Sequence, residues 1–108
     1  ITIQDPVNST PDATILWNRS DNRFDFSNHI GLPDDKRIKL GADADLQIFH
    51  NSSNNHSIIA ESGSGDLRLN ADDLYIKNAA ATENKAVFLS DGAVKLYCHR
   101  DRCYRFNL

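Results

Sequence analysis

Short runs of alternating apolar and polar residues recur along this chain, separated by clusters of Asn, Asp, Ser and Gly. The alternation has the two-residue period of a β-strand, whose successive side chains point to opposite faces. It predicts strands over residues 13–17, 23–26, 37–40, 46–50, 56–61, 66–70, 74–77, 86–90, 93–98 and 103–108. The fold class is therefore predicted to be all-β.

The polar clusters predict how these strands are joined. Residues 18–22 and 51–55 are rich in Asn and Ser, and each lies between two predicted strands, so both are predicted to be hairpin loops. The one stretch with good helix formers, residues 79–86, is too short for a stable isolated helix and is interpreted as a loop. Short antiparallel strands and hairpins are the predicted architecture.

A small motif, Asp-Leu-x-(Ile or Leu), occurs three times, at residues 45–48, 66–69 and 73–76. An Asp at the end of a turn can accept hydrogen bonds from nearby backbone N–H groups. The two aliphatic residues that follow are two positions apart, so in a strand they share one face. The copies are unevenly spaced, whereas a solenoid has a fixed period.

Strands with only two or three inward apolar residues form a thin core. Several copies of the chain, stacked or intertwined about a common axis, bury such faces better than one copy, which favours a homotrimer as one closed form. A small monomeric sandwich remains the alternative. The residues predicted to form the interface between copies are Leu46, Ile48, Leu67, Leu69, Leu74 and Ile76.

The length of 108 residues suits one domain, divided here into an extended arm or linker over residues 1–12 and a β-rich module over residues 13–108. The net charge of −3 argues against a nucleic-acid partner, which favours basic proteins. No apolar stretch is long enough to span a bilayer, and no signal peptide is visible. The absence of Met suggests a processed chain or a piece of a longer one.

Catalytic and cofactor chemistry have little support in the sequence. No nucleophile motif frames any Ser, and the many Asp residues lie mostly at turns and strand starts, so we expect no enzyme activity and no cofactor. His50 and His56 flank a turn and would supply only two of the four ligands of a structural zinc site, unless three copies of His50 meet on an axis. Asp43 with Asp45, and Asp72 with Asp73, lack the rest of a calcium loop.

The two cysteines, Cys98 and Cys103, lie five positions apart near the carboxyl end. If Arg100 and Asp101 form a turn, Cys98 lies opposite Cys103 in a hairpin, where a disulfide can form. A four-residue loop is a competing geometry, because Arg-Asp is not a favoured two-residue turn. Two free thiols are the alternative state, and a Cys-His-Cys metal site lacks a fourth ligand.

The order of these segments resembles a repeat of structural proteins from marine and cyanobacterial phages. The resemblance is carried by residues 38–51, with Gly41, Asp45-Leu46-Gln47-Ile48 and Phe49-His50, and by the later steps 63–69, 73–78 and 91–97. The preceding hairpin, with Trp17 and residues 22–27, is also similar. The sequence Cys98 to Cys103 departs from the repeat, which usually has a turn of Tyr, Asp and Gly type there.

The resemblance implies a β-rich homotrimeric virion protein, of the tail fibre or tailspike type, that supports host attachment. Its implied partners are other copies of the chain, other virion proteins and a host surface glycan, and its implied location is the virion. Three alternatives stay open: a trimeric capsid decoration protein, a carbohydrate-binding module, and a spike domain that cleaves polysaccharide. No catalytic residues accompany the repeat.

Overall fold

A computed structural model describes residues 1–3 and 12–98 of the chain. The described residues contain no helix, and therefore no helix long enough to cross a membrane. They form nine β-strands: β1 (Thr2–Ile3), β2 (Ala13–Asn18), β3 (Arg23–Phe26), β4 (Arg37–Leu40), β5 (Leu46–Asn51), β6 (His56–Glu61), β7 (Leu74–Lys77), β8 (Asn84–Phe88) and β9 (Val94–Leu96). The all-β prediction is confirmed.

The strands form three separate sheets, each made of three consecutive antiparallel strands: β1–β2–β3, β4–β5–β6 and β7–β8–β9. The chain divides into two compact units, Ile1–Asp66 and Leu67–Leu108. The first unit holds the first two sheets, and the second unit holds the third sheet. The boundary between the two units lies inside the module predicted over residues 13–108.

Most predicted strands are found where the alternation placed them. The bounds predicted for β3, β4, β6 and β7 agree with the structure, and both predicted hairpins are confirmed, as β2–β3 and β5–β6. Within the predicted arm, Thr2 and Ile3 pair with Thr14 and Ala13. The prediction for residues 103–108 lies outside the described residues.

The strand predicted over residues 66–70 is wrong. This segment adopts no regular structure and has no partner strand among the described residues, and Leu67 and Leu69 are 46% and 64% exposed. A strand is stable only when its backbone groups pair with a neighbour. The segment carries the local pattern of a strand, but the division of the chain between the two units falls within it, after Asp66.

In each of the three sheets, the side chain of an Asn closes the loop after a strand. This Asn is the last residue of the strand or the residue directly after it. The Oδ1 atoms of Asn18, Asn51 and Asn78 accept hydrogen bonds from the backbone N–H groups of Ser20 (3.1 Å), Ser53 (3.0 Å) and Thr82 (2.9 Å). In the first two hairpins the last loop residue, Asn22 or Asn55, has a positive φ, which Asn tolerates better than most residues. The Asn-rich loops thus fix these hairpins locally.

The described residues contain almost no core. Ala86 (9% exposed) and Val87 (2%) are the only buried apolar side chains among them, and both lie on β8. None of the described side chains of the first unit is buried. A sandwich buries one face of each of its sheets, so the monomeric sandwich considered above is not formed there.

Gly41 ends β4 in a conformation that depends on glycine. Its φ is +91°, and a Cβ atom at this position would lie 2.7 Å from Asp45 Oδ2. We expect Gly41→Ala to reduce the free energy of unfolding by about 1–3 kcal/mol, through backbone strain and the displacement of Asp45. Urea unfolding measures the change.

Gly92→Ala is the matched control, because Gly92 has a similar φ of +93° but open space around it. It therefore carries the backbone strain without the contact. If the two variants lose the same stability, the contact with Asp45 contributes nothing.

Candidate functional site

One face of the sheet β4–β5–β6 carries a row of apolar side chains through its middle. Antiparallel partners share a face, and Ile38 pairs with Ile48, which pairs with Ile59, so the three isoleucines form one row across the sheet. The row two positions along consists of Leu40, Leu46 and Glu61 and so ends in a carboxylate on β6, and the row on the other side contains His50 and Ser57. We call this surface the isoleucine face, and define it by Ile38, Leu40, Leu46, Ile48 and Ile59.

The isoleucine face is exposed. Ile38, Ile48 and Ile59 are 46%, 40% and 59% exposed. The segment before β4 adds Ile30 and Leu32, which line the same open groove of about 530 Å³ and are themselves exposed. Exposed apolar surface of this kind is typical of sites that bind another protein, a membrane or a ligand.

The opposite face of the same sheet is better covered. The guanidinium of Arg37 lies 3.8 Å from the centre of the Phe49 ring, and its Nη1 donates a hydrogen bond to Gln47 Oε1 (2.8 Å). Gln47 Nε2 in turn donates to the carbonyl oxygen of Ala44 (3.0 Å). The two faces thus differ: this face has Arg37 packed over the Phe49 ring, whereas the isoleucine row on the other face is exposed.

The third sheet repeats the arrangement. Leu74, Phe88 and Val94 form one row across β7–β8–β9, and Ile76, Ala86 and Leu96 form the next row on the same face. Phe88, Val94, Ile76 and Leu96 are each more than 40% exposed. The large side chains of this face are therefore uncovered, although Ala86 at its centre is buried, as is Val87 on the other face.

The first sheet also has an exposed apolar face, which is formed largely by aromatic side chains. Trp17 pairs with Phe24 and Ile15 pairs with Phe26, all on one face. The Trp17 and Phe24 rings meet edge to face at 5.0 Å, and the two residues remain 54% and 63% exposed. Such a ring pair contributes about 0.5–1.5 kcal/mol beyond its buried area, yet most of both residues still faces water.

The polar groups of the first sheet lie on its other face. Asn18 Nδ2 donates a hydrogen bond to Asp25 Oδ2 (3.0 Å), and Arg23 Nε lies 2.6 Å from Asp25 Oδ1. These two donors, first Asn18 and then Arg23, lower the pKa of Asp25. Polar chemistry and exposed aromatic rings are thus separated by the sheet.

The six residues predicted to form the interface lie in three different places in the structure. Leu46 and Ile48 lie together on the isoleucine face, and Leu74 and Ile76 share the exposed face of the third sheet. Leu67 and Leu69 are exposed but lie in no strand. The sequence analysis missed further members of these faces: Ile38, Leu40, Ile59, Phe88, Val94 and Leu96. Pairing the apolar positions of neighbouring predicted strands would have found them.

The two candidate metal ligands do not converge. His50 pairs with Ser57 and His56 pairs with Asn51, so the two imidazoles lie on opposite faces of the sheet. His50 Nε2 lies 3.0 Å from Asn55 Oδ1 and His50 Nδ1 lies 3.1 Å from Ser57 Oγ, so both ring nitrogens have partners within the hairpin. The described residues contain no group of three or more His, Cys, Asp or Glu placed to hold a metal.

Asp35 joins the start of the second sheet to its hairpin loop. Its Oδ2 accepts a hydrogen bond from the Ser52 hydroxyl (2.6 Å), and its Oδ1 accepts one from the Ser52 backbone N–H (3.0 Å). These donors, the hydroxyl first, lower the pKa of Asp35. The carboxylate form is therefore the one that the fold prefers.

An Asp whose pKa is lower in the folded chain stabilises the fold at pH values above its unfolded pKa of about 3.9. This stabilisation is lost as the pH falls through the folded pKa. We expect stability to decline below about pH 4, and Asp35→Asn to make that decline shallower. Urea midpoints between neutral and acid pH measure it. Asp34→Asn, a neighbouring Asp with the same charge change, is the control, and an equal effect of both substitutions would refute the role of Asp35.

Cys98 is disulfide-bonded, and its predicted partner Cys103 lies outside the described residues. The pairing of Cys98 with Cys103 therefore stays a prediction. Mass spectrometry of the unreduced chain, after alkylation under denaturing conditions, tests it. We expect no alkylated thiol in protein purified in air, whereas two alkylated thiols would exclude the bridge.

No protein-family model, no curated protein and no solved structure matches the chain.

Proposed function

We propose that this chain is a structural component of a phage virion, a homotrimeric segment of a tail fibre or tailspike that supports host attachment. One observation carries the proposal: all three sheets present an uncovered apolar face. Within the described residues there is hardly any core to account for the apolar content of the chain. The sequence resemblance to phage structural repeats supports the same assignment.

The exposed area is large enough for a stable assembly. Among the side chains that the structure describes, nineteen large apolar ones are at least 40% exposed. A half-exposed side chain of this size leaves roughly 100 Å² in water, so about eight of them match the ~800 Å² per partner of a standard interface. Association of copies through these faces supplies the core that a single copy lacks.

In this role the chain works mechanically. Copies joined along the faces of successive sheets form a spacer that holds a host-binding tip away from the particle. No reaction and no cofactor are required, and the partners are other copies of the chain and neighbouring virion proteins. The chain has a net negative charge, so nucleic acid is not among the proposed partners.

A capsid decoration protein would use the same apolar faces, and shape separates the two roles, because a fibre segment is elongated and a decoration protein is compact. A carbohydrate-binding module is a weaker candidate. Sugar sites combine a stacking ring with polar groups beside it, whereas the polar side chains Asn18, Arg23 and Asp25 lie across the sheet from Trp17.

Light scattering combined with size-exclusion chromatography tests the proposal. We expect a particle with three times the 12.1 kDa mass of the chain, at micromolar concentration. A stable 12.1 kDa monomer would overturn it. Electron microscopy of labelled virions then separates the tail from the capsid surface, and a glycan array that finds a specific ligand would favour the carbohydrate-binding alternative.

A further inference from the structure

The sheet β4–β5–β6 has two open edges. Among the described residues, β4 and β6 each pair with β5 alone, which leaves the backbone groups on their outer sides without a strand partner. Open edges invite pairing with another strand. The open edges of β4 and β6 can therefore pair with a strand of another copy.

The directions of the strands limit which edges of two copies can pair. β4 and β6 are both antiparallel to β5, so they are parallel to each other. A rotation about an axis along the strands keeps the direction of each strand. It therefore places β6 of one copy beside β4 of the next as parallel neighbours, which is an allowed pairing.

We propose that β6 of one copy pairs with β4 of the next copy, so that three copies of this sheet close into one ring with the isoleucine face inside. This inference rests on the trimer proposed above and adds the strand edges that join the copies. The partner is a second copy of this chain, and the contact is heterologous, which closes after three copies.

The side chains at the two edges favour this junction. Ile38 on β4 and Ile59 on β6 are the two ends of the isoleucine row, so joining these edges continues this row from one copy to the next. Glu61, at the β6 end of the neighbouring row, lies on the same face, and its Oε1 accepts a hydrogen bond from the Gly63 N–H (2.6 Å). A ring of about eight strands has an interior that side chains fill. Three copies of a three-stranded sheet give a ring close to that size, and the isoleucine face supplies its filling.

The other two junctions are less favourable. Pairing β4 with another β4 would bring Arg37 and Lys39 of one copy against the same cations of the next, and like charges on paired strands repel. Pairing β6 with another β6 leaves both β4 edges open. The junction of β6 with β4 removes every open edge of this sheet, as closure into a ring requires.

Cross-linking between single-cysteine variants tests the junction. Lys39 and Ala60 belong to the same row on the opposite face of the sheet, so substitution leaves the isoleucine face intact. The variants Lys39→Cys and Ala60→Cys are produced separately and by co-expression. Each sample is treated with a short bifunctional maleimide and examined on a denaturing gel. The unsubstituted chain controls for Cys98 and Cys103.

We expect a two-chain band from the co-expressed variants and from neither variant alone, because equivalent positions in the ring are three strands apart. A two-chain band from Ala60→Cys alone would mean that β6 pairs with β6, which overturns the proposal. No band from the co-expressed variants, with a trimer by light scattering, overturns the junction but leaves the proposed function standing. A monomer by light scattering overturns both.

Discussion

Replacing Ile48 by Asp is expected to convert the assembled protein to single chains. Ile48 lies at the centre of the isoleucine row, between Ile38 and Ile59. In a single copy its side chain is 40% exposed, so a carboxylate there meets water and the sheet tolerates it. In the proposed assembly the same carboxylate would be buried in the middle of the sheet without a partner, which costs several kcal/mol and is enough to abolish association at micromolar concentration.

Gln47→Asp is the matched control, because it adds the same charge on the same strand but on the opposite face. Light scattering should report monomers for Ile48→Asp and the parent mass for Gln47→Asp, with β-type circular dichroism in both. Dissociation by both substitutions to the same extent would show that added charge, rather than the isoleucine face, controls assembly.

Val87→Ala should reduce stability more than any other removal of one or two methyl groups from the described residues of the second unit. Val87 is 2% exposed, so removing its two methyl groups leaves a cavity in the small core on β8. We expect the free energy of unfolding to fall by about 1–3 kcal/mol, measured by urea unfolding of the dissociated chain.

Val94→Ala is the matched control for Val87→Ala. It makes the same chemical change in the same sheet, but at a side chain that is 51% exposed. In the dissociated chain it should change stability little, while in the assembled protein it should weaken association, since Val94 lies on the exposed face with Phe88. Equal losses from the two substitutions in the dissociated chain would contradict the burial of Val87.

The strand prediction succeeded where loops and strands are fixed by neighbours in the sequence. The alternation placed β3, β4, β6 and β7 at their observed bounds, and the Asn-rich loops identified both hairpins. The side chain of an Asn can close a loop only a few residues away, so this information is local. The same holds for Leu46 and Ile48, whose spacing puts them on one face.

The sequence could not show which alternating segments find a partner. Leu67 and Leu69 carry the same local signal as Leu46 and Ile48, but only the second pair lies in a strand with neighbours on both sides. Pairing depends on geometry at a distance, which a local pattern does not contain. The same reason explains the separation of His50 from His56, because one position along a strand reverses the face.

Each sheet is made only of consecutive strands, and this has a consequence for the order of folding. The most distant paired residues, Leu46 and Glu61, are 15 positions apart. Contacts this close in sequence form quickly, because little loop entropy is lost in making them. A growing chain can therefore complete one sheet before the residues of the next are synthesised. In the proposed assembly, association between chains would come last, so its rate would depend on protein concentration, whereas the rate of strand formation does not.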